Sequence, residues 1–519
     1  MKYTVLITTS GVGARLGDLT KYTNKALVKI GERPALSHII ESYPKDTRFV
    51  VTLGYFAEQV QDFLSLAYPN LNIKYVNVNP FVGPGSSLGE SMWQARNELQ
   101  RPFIYHASDT IVSEPVPLPE ENWIGVARSE DMSQYASWTM QEGVLRFQEK
   151  GALGADYAHI GLIGVHDYKA FWKALSELRN ENPDNSRLND AQTLARMIDK
   201  GTKQTIVEFP SWRDIGNVGS LQRAEGHEVL LKAGESIFIF DRFVIKFFAD
   251  AKVAANRAAR GELLKGFVPK MEGARGNFYR YEYVPGESYP DVIDVKDFEK
   301  YLAWAQRTFW GKPISSVDIK KFKEACWKFH EEKPKERIDK FFAITGLKDS
   351  EHIINGERVP KIADMLSRID FNWLASGIPS RFHGDFVLDN VVKTKGGYCL
   401  VDWRQDFGPF LDIGDRYYDL AKLNHNLTIN HRVINDNLFT VNAREKNVRC
   451  DILRPNILMD CQKVYFEFLE ENGYDVRKVQ VLTAMNWLNI AALHHHPYNL
   501  FLYYFGKLHL WRALRESKH

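Results

Sequence analysis

The spacing of apolar residues changes character once along this chain, and that change limits the fold more than any single motif. Through about residue 225, short β-branched runs at 3–9, 48–53, 73–77 and 103–106 alternate with helical spacing at 35–41 and 57–67. Strands alternating with helices predict an α/β unit with a mostly parallel, Rossmann-like sheet. Past Gly226 the pattern shifts. Two β-rich runs, 236–240 and 243–248, flank Asp241-Arg242 and read as a hairpin. A helix is expected over 252–264, and helical spacing dominates from Val295 onward. The boundary falls within 226–235, giving domains 1–228 and 229–519, the second with a small lobe at about 235–288 and a larger one at about 289–519. The 519 residues accommodate two to four domains. The segment 429–455 interrupts the helical run, and 432–439 with 447–453 are expected to pair as an inserted hairpin.

Composition removes several function classes. Lys and Arg number 67 against 65 Asp and Glu, a net charge of +2. So balanced a chain lacks the basic excess of a dedicated nucleic-acid binder. The four cysteines, Cys326, Cys399, Cys450 and Cys461, contain no C-x-x-C pair, which argues against zinc and dithiol chemistry. The first apolar run meets Thr8-Thr9-Ser10 too early for a secretory leader, and no run of 18 apolar residues predicts a membrane span. The expectation is a soluble, cytoplasmic protein; the oligomeric state is left open. Aromatic residues, at 13%, suit packed cores and small-molecule pockets. His494-His495-His496 cannot turn three consecutive imidazoles toward one metal on a helix.

Two constellations carry chemistry. The first follows the first strand: Ser10-Gly11-Val12-Gly13-Ala14-Arg15, then Lys25, then Gly31-Glu32-Arg33-Pro34-Ala35-Leu36. Glycines let backbone amides approach phosphates, and two cations close behind them suit a triphosphate attacked at its α-phosphorus. Leu16 stands where a dinucleotide fingerprint has its third glycine, and Gly-Lys-Ser/Thr is absent. Residues 1–225 resemble the sugar-phosphate nucleotidyltransferases. The resemblance extends to Asp109 at the end of a strand, to Asp214-Ile215-Gly216, and to Gly83-Pro84-Gly85-Ser86-Ser87-Leu88-Gly89. It implies that Arg15 and Lys25 are catalytic and that Asp109 and Asp214 hold Mg²⁺. Gly11, Gly13, Ser86, Ser87 and Gly89 would then bind the nucleotide, and Glu149, Lys150 and Gly161 the phosphorylated acceptor. Two departures stand out: Asn24 replaces the usual proline before the lysine, and Ala14 the usual Thr or Ser.

The second constellation is His383-Gly384-Asp385-Phe386-Val387-Leu388-Asp389-Asn390, followed by a short strand ending at Asp402. An Asp and an Asn five residues apart, with a second acid downstream, suit a kinase-type phosphotransferase: a base for the acceptor hydroxyl and ligands for Mg²⁺. Lys246 ends a hairpin strand and suits the α/β-phosphates of ATP; Glu262 on the next helix is its expected partner, with Arg257 an alternative polar contact. Residues 235–519 resemble the aminoglycoside phosphotransferase and choline kinase family, including the run from Gly414 to Ala421. That resemblance implies an α+β, protein-kinase-like two-lobed domain. Asp385 would be catalytic, Asn390 and Asp402 would be metal ligands, and the hinge at Glu282 and Tyr283 would bind nucleotide. Choline kinases carry Glu at the position of Arg404, which is assigned to the acceptor.

The two resemblances together imply consecutive steps: ATP-dependent phosphorylation of a small alcohol or sugar, then nucleotidyl transfer from a second NTP, CTP in the leading reading. A sugar 1-kinase joined to an NDP-sugar pyrophosphorylase, an antibiotic-modifying enzyme, and a regulatory protein with two degenerate folds are the alternatives.

Overall fold

The expected parallel run forms. β1 (Thr4–Thr8), β2 (Arg48–Leu53), β3 (Asn72–Asn77) and β4 (Phe103–Ala107) lie in the spatial order β4-β1-β2-β3, every pairing parallel. All five residues of β1 are buried, which explains its continuous Thr-Val-Leu-Ile-Thr run: a strand covered on both faces has no polar side. The sheet then turns mostly antiparallel. β5 (Trp123–Ala127), β6 (Ser137–Gln141), β7 (Val144–Gln148), β8 (Tyr157–Val165) and β9 (Thr205–Glu208) complete nine strands, with β8 pairing β4, β5 and β6. Because β1 and β4 are parallel neighbours, the segments that leave their carboxyl ends, Ser10–Gly13 and Ser108–Asp109, emerge on the same side of the sheet. That is where open α/β sheets bind ligands.

This computed structural model describes residues 3–129, 132–142, 144–152, 154–181, 186–225 and 234–515. The chain divides into two compact units, Met1–Ala255 with Glu272–Tyr281, and Asn256–Met271 with Glu282–His519. Most of the stretch where the sequence places its boundary, 226–233, lies outside the described residues. The predicted hairpin is present as β10 (Glu235–Ile239) and β11 (Phe243–Phe248), extended by β12 (Met271–Arg275) and β13 (Phe278–Glu282) in the order β10-β11-β13-β12. Compactness groups this sheet with the first unit because Phe238, Phe240, Ile245, Phe247 and Phe278 share one apolar cluster with Val5, Val51 and Phe63. The Phe238 ring meets Phe63 edge-on at 5.6 Å. Domain limits of 1–228 and 229–519 thus mark a change of sheet, and remain a proposal for where independent folding ends.

The second unit is helix-rich. Its helix Arg416–Thr428 is buried along almost its whole length and packs against Val476–Ala491, which packs in turn on Tyr498–Arg515. The inserted hairpin exists, with one correction. Its strands are Phe439–Arg444 and Asn447–Ile452, turning at Glu445, whereas 431–435 is a short helix. The Asn430 side chain accepts the Val433 amide at 3.1 Å and so starts a helix where β-branched residues suggested a strand. Strands His352–Ile354 and Glu357–Val359 complete a four-stranded sheet with it. Among the described residues, no helix is long and apolar enough to cross a membrane.

If β10 belongs to the first unit's core, Phe238→Ala should cost about 3–5 kcal/mol. Thermal unfolding followed by near-ultraviolet dichroism should show the loss; a change under 1 kcal/mol would place the four-stranded sheet outside that core.

Candidate functional sites

In the first unit an open cleft of about 440 Å³ gathers Gly11, Arg15, Lys25, Ser86, Ser87, Asp109, Lys150, Gly161 and Asp214. Two backbone devices bring the acids together. A two-residue ladder pairs Asp214 with Thr110, and the Ile215 amide donates to the Asp109 carbonyl at 3.1 Å. A methyl group on Gly216 would stand 3.0 Å from Asp214 Oδ1, 3.2 Å from Arg15 Nη2 and 3.3 Å from Asp109 Oδ2. Both carboxylates and a guanidinium thus converge on one point. Lys25 Nζ pairs with Asp109 Oδ2 at 3.2 Å. Burial pushes the Asp109 carboxyl up, but Lys25 and Arg15 outweigh it and hold it below its ordinary value. Lys150 is pushed down by burial and by Arg15. Two carboxylates at one point offer the hard oxygen donors that Mg²⁺ takes, so the residues fit that ion.

The glycine turn works through its backbone. Gly13 has φ 70°, and a Cβ there would lie 2.8 Å from Lys25 Cβ. Only glycine permits both the conformation and the approach of the lysine. Asn24 accounts for the missing proline. Its amide donates to the Thr9 and Tyr55 carbonyls at 2.8 and 2.5 Å, and its oxygen accepts the Ala26 amide at 2.9 Å, so hydrogen bonds fix the turn that aims Lys25. Ser87 caps the helix Leu88–Ala95, accepting the Glu90 amide at 2.9 Å. Gly13, Gly89 and Glu149 do not line the cleft. Gly89 lets Leu188 pack closely, and exposed Glu149 accepts from Gln192. Sequence reasoning missed Tyr135, whose hydroxyl donates to Asp214 Oδ2 at 3.0 Å. It also missed the chain in which Trp138 Nε1 donates to His159 Nδ1 (3.2 Å) and His159 Nε2 to Asp190 Oδ2 (2.7 Å). No motif marks these residues, because a loop, two paired strands and a helix start bring them together from distant parts of the sequence.

In the second unit the acids again converge. Asn390 Nδ2 donates to the carbonyl and to Oδ2 of Asp385, both at 3.0 Å, leaving its Oδ1 as an available acceptor. The hairpin of β14 (Val391–Thr394) and β15 (Gly397–Leu400) then sets Asp402 beside them, since the Val401 amide donates to the Asn390 carbonyl at 2.9 Å. Asp402 has φ 58°, a left-handed conformation that a non-glycine residue adopts only when its surroundings impose it. Arg257 Nη1 holds its Oδ1 at 2.5 Å. The oxygens of Asn390 and Asp402 also suit a divalent ion. Lys422, absent from the sequence reading, pairs with Asp385 Oδ1 at 2.7 Å. Burial pushes the Asp385 carboxyl up, and Lys422 outweighs it to hold the group below its ordinary value.

The loop itself hangs on two buried charges. Arg260, 1% exposed, donates to the carbonyls of Leu411 (2.7 Å), Phe382 and Arg404. Asp419, fully buried, accepts the amides of His383 (2.9 Å) and Gly384 (2.7 Å) and the indole of Trp310 (3.1 Å). Burial lifts the Asp419 carboxyl to about 6 despite those bonds. His383 is a strut rather than a reacting group: Nδ1 accepts the Asp385 amide at 3.3 Å, Nε2 faces the Val401 carbonyl at 3.1 Å, and burial lowers its pKa to about 4. Lys246 lies buried in β11 of the first unit, opposite Ile237. Glu262, its expected partner, is exposed, and the buried polar residue of that helical turn is Arg260. Glu282 and Tyr283 are exposed.

No family model matches the chain. Over 228 residues it is 21% identical to the bifunctional protein GlmU of Methanococcus maripaludis, a similarity covering 43% of this chain and 53% of that protein, so the chain spans about half the length of the curated relative it matches. Similar solved structures include the CTP:phosphocholine cytidylyltransferase of Streptococcus pneumoniae, 18% identical with a TM-score of 0.37, covering 44% of this chain and 99% of that one. Another is the inositol-1-phosphate CTP transferase of T. maritima, 16% identical with a TM-score of 0.35, covering 44% and 98%.

Removing a buried cation that satisfies several carbonyls leaves them unpartnered. Arg260→Met should therefore cost at least about 3 kcal/mol, seen as an early melting step. In Lys422→Met the carboxyl of Asp385 should rise. The pair's contribution, roughly 1 kcal/mol because the carboxylate is only partly buried, is present above the ordinary aspartate value of 3.8 and is lost as pH falls through the depressed one. Melting curves of the two proteins should differ at pH 7 and converge in acid; a constant gap at every pH would remove the pairing.

Proposed function

We propose that this is a bifunctional enzyme: the second unit phosphorylates a small hydroxyl substrate with ATP, and the first transfers a nucleotidyl group from an NTP to the resulting phosphomonoester. The product is an NDP-activated precursor of the CDP-choline type, made in the cytoplasm for surface polysaccharide. The observation that carries the first activity is the convergence of Asp109, Asp214 and Arg15 on one point, with Lys25 on Asp109. An acceptor phosphate that attacks the α-phosphorus builds charge there, and Lys25 and Arg15 stabilise it without reorganisation. Lys150 and Gly161, which share the cleft, are assigned to the acceptor. A divalent ion, when bound, neutralises triphosphate oxygens and helps pyrophosphate leave.

For the second activity the support is the Asp385-Asn390-Asp402 geometry. Lys422 keeps Asp385 ionised, so the carboxylate can accept the proton of the substrate hydroxyl as that oxygen attacks phosphorus. The hinge at Glu282 and Tyr283 is assigned to the adenine. The coupled order follows from chemistry, since a kinase makes the phosphomonoester that a nucleotidyltransferase consumes. The alternative of a sugar 1-kinase joined to an NDP-sugar pyrophosphorylase draws on Arg404, which departs from the choline kinase pattern.

Purified protein supplied with ATP, CTP and an acceptor separates the two activities. Asp385→Asn should abolish ADP formation and spare pyrophosphate release from a supplied phosphomonoester. Asp109→Ala and Asp214→Ala should each lower pyrophosphate release at least 100-fold (about 2.7 kcal/mol) and spare ADP formation. Loss of both activities in one folded variant would overturn the division of labour, and near-normal pyrophosphate release would remove that aspartate from the site.

A further inference from the structure

Three cations of the second unit stand together beside the acid-bearing loop. Arg404 follows Asp402 by two residues, and its amide donates to the His383 carbonyl at 3.0 Å. A Cβ on Gly384 would lie 2.6 Å from Arg404 Cβ, so the arginine leaves the backbone directly against the residue preceding Asp385. Its guanidinium carbon lies 4.8 Å from the centre of the Phe329 ring, and Lys333 Nζ lies 5.5 Å from the same centre. Arg337 is one helical turn beyond Lys333, on the same face.

Among the described residues none of the three forms an ion pair, although the same unit pairs Arg257 with Asp402 and Lys422 with Asp385. Arg404 Nε and Arg337 Nη1 are buried and have no hydrogen-bond partner. Asp406 and Glu336 act on Lys333 only from beyond ion-pair distance, and burial, Arg404 and Arg337 lower its pKa to about 8. Unpaired guanidinium donors held together at a cost have a use when an anion completes them, and the planar fork of arginine matches a carboxylate or phosphate.

Resting on the kinase reading above but replacing its choline-like acceptor, we propose that the acceptor of the second unit carries a negative charge, a carboxylate or phosphate on the same small molecule as the reacting hydroxyl, which Arg404, Lys333 and Arg337 bind. A quaternary ammonium acceptor would meet repulsion at this place. An anionic acceptor bound there presents its hydroxyl to Asp385. The hydroxyl oxygen bonds to the γ-phosphorus of ATP, the bond from phosphorus to the β-bridging oxygen breaks, ADP leaves, and the hydroxyl proton passes to Asp385. The product then bears two anionic groups, and the nucleotidyltransferase uses the new phosphate.

The test measures ADP formation by the full-length protein with D-glycerate, glycerol 3-phosphate, glycerol and choline. At least one of the two anions should exceed both glycerol and choline at least tenfold in kcat/KM; which one leads separates carboxylate from phosphate recognition. Arg404→Ala and Lys333→Ala should each raise the anion's KM tenfold or more while leaving the KM for ATP unchanged, and Arg404→Glu should favour choline. A preference of the native protein for choline or glycerol overturns the proposal, as does a loss of ATP affinity in place of acceptor affinity. A separate arm titrates sulfate against the melting temperature. Saturable stabilisation that the triple alanine variant loses supports the anion site even where no acceptor turns over, an outcome that would defeat only the kinase reading. Sulfate stabilisation equal in the native and triple variant overturns the anion site itself.

Discussion

Carboxylates brought to one point repel each other, and each unit depends on how that repulsion is met. Asp109 and Asp214 reach a common point within about 6 Å of one another. At an effective dielectric constant of about 20, two such charges cost roughly 3 kcal/mol. The chain answers with cations drawn from distant positions: Lys25 and Arg15 for Asp109, Lys422 for Asp385 and Arg257 for Asp402. Lys25 and Arg15 keep Asp109 ionised, and Lys422 keeps Asp385 ionised. They are also the charges that substrate phosphates would meet, so the means of holding the site together is the same as the means of binding an anionic substrate.

Side chains can be so arranged only if the backbone that carries them is fixed, and buried ionic groups do much of that fixing in the second unit. Arg260 gathers carbonyls and Asp419 gathers amides from the two arms of one loop. Each charge is satisfied chiefly by peptide groups, which cannot drift without leaving it unpaired. In the first unit the ladder between Thr110 and Asp214, with the hydrogen bonds of Asn24, plays the same part. Ser10–Gly13 and Asp109 come together for a simpler reason, since they leave neighbouring parallel strands in the same direction.

The family resemblance implied that Arg15, Lys25, Asp109 and Asp214 act together, whereas the parallel sheet, the hairpin at Asp241-Arg242 and the spacing of Asp385, Asn390 and Asp402 were legible in the sequence itself. Each signal is local: an apolar run, a turn, or a loop whose few residues fix one another's positions. Glycine at 13 could be read because its backbone needs it, whereas glycine at 89 packs against Leu188, a neighbour that no local pattern announces.

Tertiary structure decided the partners. Lys422 and Arg260 sit within helical segments whose spacing says nothing of Asp385 or of the Phe382 carbonyl, and Tyr135 meets Asp214 across 79 positions. The same holds for Arg404 and Lys333, which meet at the Phe329 ring from separate segments. Local spacing determined which groups could do chemistry, because a turn or strand needs only its own few residues to form. Which cation neutralises which acid, and which cations remain unpaired, depended on packing between segments far apart in the chain, since the Coulomb energy follows distance in space and is blind to distance along the sequence.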